Sequence, residues 1–224
     1  MARLKDHEKA LALRKQGMSY SQIKKILGVS KSTLSNWLRD YPLSEQRIRE
    51  LRDWNEQRIE RCRETKRKKK EKRLNEFYQK QKRVIFPLSK RELYLAGLFL
   101  YWGEGSKSQP TDLSISNSDP SIINFFIYWL SKSLSVPKKK MRVYLQLYSD
   151  MDIKKEIKFW SEALKIPLRQ FSRPYVKKSS SERINHKGGF GHGTCQLRIG
   201  SARIAEKTHM ALKAIADRYN KMRT

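Results

Sequence analysis

The sequence predicts an α+β chain, and three observations carry that prediction. Residues 1–43 place apolar side chains at helical spacing between cap and turn signals. Residues 44–88 are polar and charged, with scarcely any proline or glycine to interrupt a helix. Residues 89–224 hold most of the aromatics and alternate helix-spaced runs with short period-two stretches. The expected organisation is a small three-helix domain over 1–43, a basic helical linker over 44–88, and an α+β domain over 89–224. That last domain is expected to lay its helices on one face of a mixed or antiparallel sheet, and it alone is long enough for a substantial core.

In the first domain, "SYSQIKKILGVSKSTLSNWLRD" (19–40) reads as two helices around a tight turn. Ser19 and Gln22 have the spacing of a capping box, which starts a helix near Tyr20. Ile23, Ile26 and Leu27 form its apolar stripe, Gly28 ends it, and Ser30 caps the next helix. Leu34, Trp37 and Leu38 face inward from that second helix, while Leu4, Leu11 and Leu13 mark an earlier one. The pattern resembles a helix-turn-helix of the resolvase-like and transposase-like kind. Lys31, Ser32, Thr33, Ser35 and Asn36, on the outer side of the last helix, are short or polar. A helix entering a major groove needs such residues to reach base edges. A protein-interaction module with a merely solvated polar face is the bland alternative.

The linker is predicted as one long helix over 44–86, with Ile48, Leu51, Trp54 and Ile59 as a thin apolar stripe. From Arg61 to Arg73 it carries nine basic and two acidic residues. Arg61, Arg63, Lys66, Arg67, Lys68, Lys69, Lys70, Lys72 and Arg73 are expected to contact phosphates, adding affinity without reading sequence. A solvated spacer is the alternative for part of it.

Beyond residue 88, Ser89 and Glu92 again have capping-box spacing and open a helix through "LYLAGLFLYW". Strands are predicted at 113–117, 141–148, 171–176 and 194–200, and helices at 120–135, 152–165 and 201–220. Asp119 is read as an N-cap followed by proline at the first helical position, and Asp150 and Asp152 are read likewise. Two strand-to-helix passages look alike: Asp119 precedes Trp129, and Asp150 precedes Trp160, by ten residues, with Pro137 and Pro167 closing the units. This reads as a repeated strand–helix device.

Composition narrows the partners. Lys and Arg number 50 against 22 Asp and Glu, a net charge of +28. Such an imbalance costs self-repulsion and is expected of a chain that meets a polyanion. Double-stranded DNA is the expected partner, and charge alone does not separate it from RNA. The longest apolar run, Leu93–Trp102, has ten residues, too few to span a bilayer. The first residues are interrupted by charges throughout, unlike a signal peptide. Two cysteines, Cys62 and Cys195, give no disulfide framework. No membrane partner and a cytoplasmic location, nucleoid-associated in a bacterium, are therefore expected.

"LAGLFLYWGEGSKS" followed by "LSISNSDPSIINFF" resembles the LAGLIDADG homing endonuclease family over roughly residues 89–204. In that family small helix residues pack against a second copy, an acid at the helix end holds divalent metal beside the scissile phosphates, and a sheet lies along the DNA. The resemblance implies a homodimer meeting through Ala96 and Gly97, with Glu104 as catalytic residue and ligand of Mg²⁺. Gly97 and Glu104 are seven apart, nearly two turns, and would share a face. A carboxylate at a helix C-terminus is disfavoured by the helix dipole, by up to about 1 kcal/mol, which makes Glu104 a poor structural choice and a reasonable metal ligand. Some relatives join such a domain to a helix-turn-helix and regulate transcription without cutting. The expected function is thus sequence-specific duplex DNA binding, with Mg²⁺-dependent cleavage or non-catalytic regulation as the two finer readings.

Further residues are expected to meet DNA. Lys107 follows the glycines after Glu104. Arg142, Tyr144 and Gln146 lie opposite Val143, Leu145 and Leu147 on one strand, and Arg198 lies between Leu197 and Ile199. Lys177, Lys178 and Arg183 precede "HKGGFGHGTC" (186–195), and Lys187 lies within it. That segment is read as a glycine-rich loop rather than a zinc site, because His186, His192 and Cys195 lack a fourth ligand.

Overall fold

Side-chain caps set the limits of the N-terminal helices. The structure, a computed structural model, describes residues 2–51, 54–178 and 191–220. They begin with α1 (Ala2–Lys15), α2 (Tyr20–Leu27) and α3 (Lys31–Trp37). Ser19 Oγ accepts from Gln22 N at 3.2 Å, while Gln22 Oε1 accepts from Ser19 N at 2.8 Å. Gly28 closes α2 at φ 65°, where a side chain would be strained, and Ser30 Oγ accepts from Thr33 N at 3.1 Å to start α3. The core of this bundle is Ala10, Tyr20, Ile23, Leu34 and Leu38, with Leu11, Leu13, Leu27, Val29 and Trp37 packed around it. Two positions differ from the sequence expectation: Leu4 and Ile26 are 66% and 56% exposed. Ala10 and Leu11 take the inward face of α1, which leaves Leu4 outside.

The single helix expected over 44–86 is broken. α4 (Glu45–Glu50) stops at Leu51, whose backbone is extended (φ −65°, ψ 120°), and α5 runs over Trp54–Ile85. Ile48 and Leu51 are both buried. Gln57 of α5 donates its side-chain amide to the carbonyls of Arg49 and Leu51, so the acceptors released by the break are satisfied. No glycine or proline announces this break.

The first turns of α5 dock onto the three-helix bundle. Glu60 accepts from both terminal nitrogens of Arg14 and from the backbone N–H of Tyr20 at 3.1 Å. Arg14 and Arg63 place their guanidiniums 4.5 and 3.8 Å from the Tyr20 ring centre. From α4, Arg47 Nε donates to the Gly17 carbonyl at 2.9 Å. Residues Met1–Phe86 accordingly form one compact unit and Pro87–Thr224 a second. The 44–88 segment is therefore a spacer over only part of its length.

The second unit is α6 (Lys90–Glu104), β1 (Asp112–Asn117), α7 (Pro120–Ser133), β2 (Arg142–Tyr148), α8 (Ile153–Leu164), β3 (Tyr175–Lys177), β4 (Thr194–Gly200) and α9 (Ala202–Asn220). The sheet order is β1-β4-β2-β3, with β4 antiparallel to β1 and β2, and β2 parallel to β3. Leu113 and Ile115, Val143, Leu145 and Leu147, and Cys195, Leu197 and Ile199 share one face. They join residues of α6, α7, α8 and α9 in a single core. The chain is thus α+β, with a mixed sheet covered on that face by helices.

α7 and α8 leave the core in the same way. Trp129 and Trp160 are fully buried near their ends. Each helix is followed by a residue of positive φ, Ser135 at 56° and Lys165 at 51°. A buried Val136 or Ile166, then Pro137 or Pro167 and a 3-10 turn, come next. Gln170 in the second turn donates to the carbonyls of Lys138 and Met141 at 2.8 and 2.7 Å, tying the two exits together. Among the described residues no helix is long and apolar enough to cross a membrane.

Candidate nucleic-acid interface

α3 is only seven residues long, and its inner side is spent on the bundle core through Leu34. Lys31, Ser32 and Asn36 are left exposed, while Thr33 and Ser35 are half-buried. Ser30 Oγ lies 2.9 Å from Ser32 Oγ and 2.8 Å from Thr33 Oγ1, so these two hydroxyls are held at the helix start. Asn36 Oδ1 accepts from Arg39 at 3.2 Å, which orients the amide with its NH₂ free. The helix therefore presents one cation, short hydroxyls and one amide, a set able to contact base edges and an adjoining phosphate.

α5 supplies charge beside it. Arg61, Lys66, Lys68, Lys69, Lys70, Lys72 and Arg73 are exposed, and Arg63 and Arg67 are half-buried. Arg67 is neutralised twice, by Glu64 at 2.8 Å and Glu71 at 2.6 Å, and its hydrogen bond, with the nearby Lys68, holds the Glu64 carboxyl below its usual range. Arg67 therefore has less charge to offer a phosphate than its neighbours. Exposed pairs of this kind contribute little to stability.

In the second unit, the face of the sheet opposite the core is polar. Its cross-strand rows are Ser114–Arg198–Arg142 and Ser116–Gln196–Tyr144, followed by Thr194–Gln146–Tyr175 and then Tyr148–Lys177. Arg142 is exposed and Tyr144 and Gln146 are half-buried, the side of the strand expected from the alternation. Arg142 donates to the Arg169 carbonyl at 3.3 Å. Arg142 and Arg198 stand directly opposite each other, an arrangement that costs stability unless compensated. Asp112, buried on β1, provides that compensation by bonding Arg198. Arg198 is thus an internal ion-pair partner, which lowers its worth as a phosphate ligand. Lys177 rests 5.2 Å from the Tyr148 ring centre, and Lys178 is exposed.

Glu104 ends α6 and is exposed. The turn that follows is fixed by Tyr101, whose hydroxyl donates to the Ser106 carbonyl at 2.6 Å and lies 3.1 Å from His209 Nε2. Burial pushes the Tyr101 phenol up to about 12. Gly105 is required because a Cβ there would come within 2.4 Å of that ring. Lys107 donates to the Trp102 carbonyl at 2.5 Å, capping the helix end whose dipole disfavours Glu104. Lys107 is therefore engaged at home rather than presented outward.

The Glu104 carboxylate accepts from Asn117 Nδ2 at 3.2 Å, and Asn117 Oδ1 accepts from Asp119 N at 2.9 Å. Asp119 in turn caps α7 through Ser121 N at 2.7 Å. Magnesium requires several convergent oxygens. Here the amide turns its donor, not its oxygen, toward the carboxylate. Among the described residues no group of three or more His, Cys, Asp or Glu is placed to hold a metal. Among the described residues of one chain, Glu104 is not joined by the further carboxylates such an ion would use. Gly97 also differs from the expected dimer contact: it is buried against this chain's own α7, where an added Cβ would lie 2.0 Å from Trp129 Cδ1. Trp129 Nε1 donates to the Tyr94 carbonyl at 3.0 Å and locks that approach. Ala96 beside it is half-buried.

With this geometry in view, one comparison is decisive for the first unit. Residues 2–47 match the family described as a homeodomain-like domain. The match covers α1, α2, α3 and the start of α4. The homeodomain-like domain accounts for the first unit as far as Arg47 and leaves α5 and the second unit unassigned. No curated protein and no solved structure matches the chain.

His192 and Cys195, weighed above as metal ligands, have structural partners. His192 Nδ1 lies 2.6 Å from Glu156 Oε2, its ring stacks on Phe159 at 3.5 Å, and its carbonyl accepts from Trp160 Nε1 at 2.7 Å. Cys195 is buried in the core, and burial pushes its thiol up. His186, Arg183 and Lys187 lie outside the described residues. Sequence reasoning missed Arg39, which orients Asn36, and Glu60, whose partner Arg14 is 46 positions away.

Proposed function

We propose that the chain binds duplex DNA in a sequence-dependent manner. In this reading α3 of the homeodomain-like domain reads the major groove through Lys31, Ser32 and Asn36, while α5 contacts the phosphate backbone. The observation that carries it is the outer side of α3: small, polar and exposed, on a helix whose other side is fully used by the core. The polar sheet face of the second unit, with Arg142, Tyr144 and Gln146, adds a further contact surface. The net charge of +28 supports a polyanion partner. Selection from a randomised duplex library tests this. A recovered consensus that Asn36→Ala loses supports it, whereas enrichment without consensus, or equal affinity for structured RNA, contradicts it.

Two finer readings rest on this one. A dimer would bind two half-sites, which a library consensus with internal symmetry would show. Mg²⁺-dependent cleavage needs further oxygen ligands beside Glu104 from a second copy. Nicking of the selected duplex with Mg²⁺, abolished by Glu104→Gln at unchanged affinity, supports it. Intact duplex under the same conditions leaves a non-cutting regulator.

A further inference from the structure

Between the end of α3, the segment after it and α5 lies a cavity of about 270 Å³, entirely within the first unit. Its lining carries six cationic side chains against two carboxylates. Both carboxylates are already occupied, Glu60 by Arg14 and Glu64 by Arg67. Arg39, Arg63, Lys66 and Lys70 also line it, and among the described residues none of the four has a carboxylate partner. Arg63 is the sharpest case. Its guanidinium is pressed to 3.8 Å from the Tyr20 ring centre, and its Nη1 is closed off from solvent with no hydrogen-bond acceptor. A desolvated cationic donor without an oxygen partner is costly. Glu60, Arg63, Arg67 and Lys70 follow each other at helical spacing, so one face of α5 lines the cavity, from buried Glu60 to exposed Lys70.

We infer that this cavity is a binding site for a phosphate group, with Arg63 at its floor and Arg39, Lys66 and Lys70 at its rim. The chemistry of the lining selects a compact, multiply charged oxyanion. Guanidinium forks match phosphate oxygens in pairs, and the Arg63 guanidinium is held over the Tyr20 ring. Ser35 of α3 also lines the cavity, so an occupied site borders the helix proposed to read bases. Two sources carry the same chemistry: a backbone phosphate of the bound duplex, and the phosphate of a small free ligand. The first source rests on the proposed DNA binding, and the second does not.

The test uses the full chain in two arms. In the first, inorganic phosphate and then pyrophosphate are titrated into DNA-free protein at constant ionic strength, and the melting midpoint is followed. The wild type is expected to show a saturable rise. Arg63→Gln and the surface variant Arg39→Gln weaken the apparent affinity fivefold or more. Lys9→Gln, which removes an exposed charge of the same unit outside the cavity, leaves it unchanged. In the second arm, duplex affinity is measured against salt. A backbone phosphate in the site makes Arg63→Gln and Arg39→Gln each reduce the slope of log K against log salt by about 1. A free ligand's phosphate leaves the slope unchanged while the first arm responds. Phosphate effects equal in wild type, Arg63→Gln, Arg39→Gln and Lys9→Gln, with no selective change of slope, overturn the site. Absence of duplex binding by the wild type would fail the proposed function while leaving the first arm to decide the cavity.

Discussion

Arg14 of α1 and Glu60 of α5 form a salt bridge at 3.0 Å, with side chains only 2% and 4% exposed. Arg14 also donates to the carbonyls of Met18 and Tyr41 at 2.9 and 2.8 Å, so a single guanidinium joins α1, the turn before α2, the segment after α3, and α5. Removing one partner of a buried pair strands the other charge, at a cost of about 3–5 kcal/mol. Glu60→Ala is expected to destabilise the first unit by that order in denaturant melts and to undock the start of α5. Glu60→Gln, which keeps one acceptor, is expected to cost less.

The contact between Gly97 and Trp129 predicts a sharp response to one methyl group. An added Cβ would overlap the indole at 2.0 Å, and the indole is itself anchored to the Tyr94 carbonyl. Overpacking of this kind costs about 1–3 kcal/mol or more. Gly97→Ala is expected to lower the melting temperature of the second unit, and Gly97→Ala with Trp129→Phe to recover part of the loss. A Gly97→Ala variant as stable as the wild type would mean that α6 and α7 are not packed in this way.

Tyr101 makes the second unit sensitive to alkali. Its phenol ionises at about 12 in the folded chain and, unfolded, near the ordinary value of about 10. The raised folded value means that this contribution is complete below about 10 and declines as pH rises toward about 12. The stability advantage of the wild type over Tyr101→Phe is expected to be constant to about pH 9.5 and then to narrow. Paired melts across that window check it. A gap independent of pH would show that Tyr101 is solvated.

The cysteines should separate cleanly. Cys62 is exposed on α5, and Cys195 is buried with its thiol pushed up by desolvation. A thiol reagent near neutral pH is expected to modify one residue quickly in the folded chain and the second only after unfolding. Mass spectrometry assigns each, and rapid native labelling of Cys195 would contradict the inward register of β4.

Local chemistry made much of the fold legible in the residues. Ser19 with Gln22, Ser89 with Glu92, and Asp119 before Pro120 each bond within three residues, so their spacing predicted helix starts that the structure contains. The alternation in 142–148 likewise carries its face assignment, because Val143, Leu145 and Leu147 are all buried. The features that went unread depend on partners far along the chain. Nothing near Leu51 marks the helix break, which is stabilised from Gln57 and by burial of Ile48. Gly97 reads in the sequence as a contact for a second copy, and only packing shows that Trp129 of the same chain lies against it. Arg198 reads as a free cation until β4 is placed beside β1, which brings Asp112 to it. The charge of α5 resembles a uniform solvated run until the docking of Glu60 shows which face is turned inward.

The most direct test of the account is the affinity of the full chain for its library-selected duplex and for a scrambled duplex of equal length, measured at physiological salt. Wild type is expected to prefer the selected duplex strongly. Asn36→Ala is expected to erode that preference by about 1–3 kcal/mol, roughly fivefold to 150-fold, with binding to the scrambled duplex unchanged. Lys68→Gln with Lys69→Gln is expected to weaken both duplexes alike. Equal affinity for the two duplexes in the wild type, or an Asn36→Ala variant that discriminates as well as the wild type, would contradict α3 as the reader of DNA sequence.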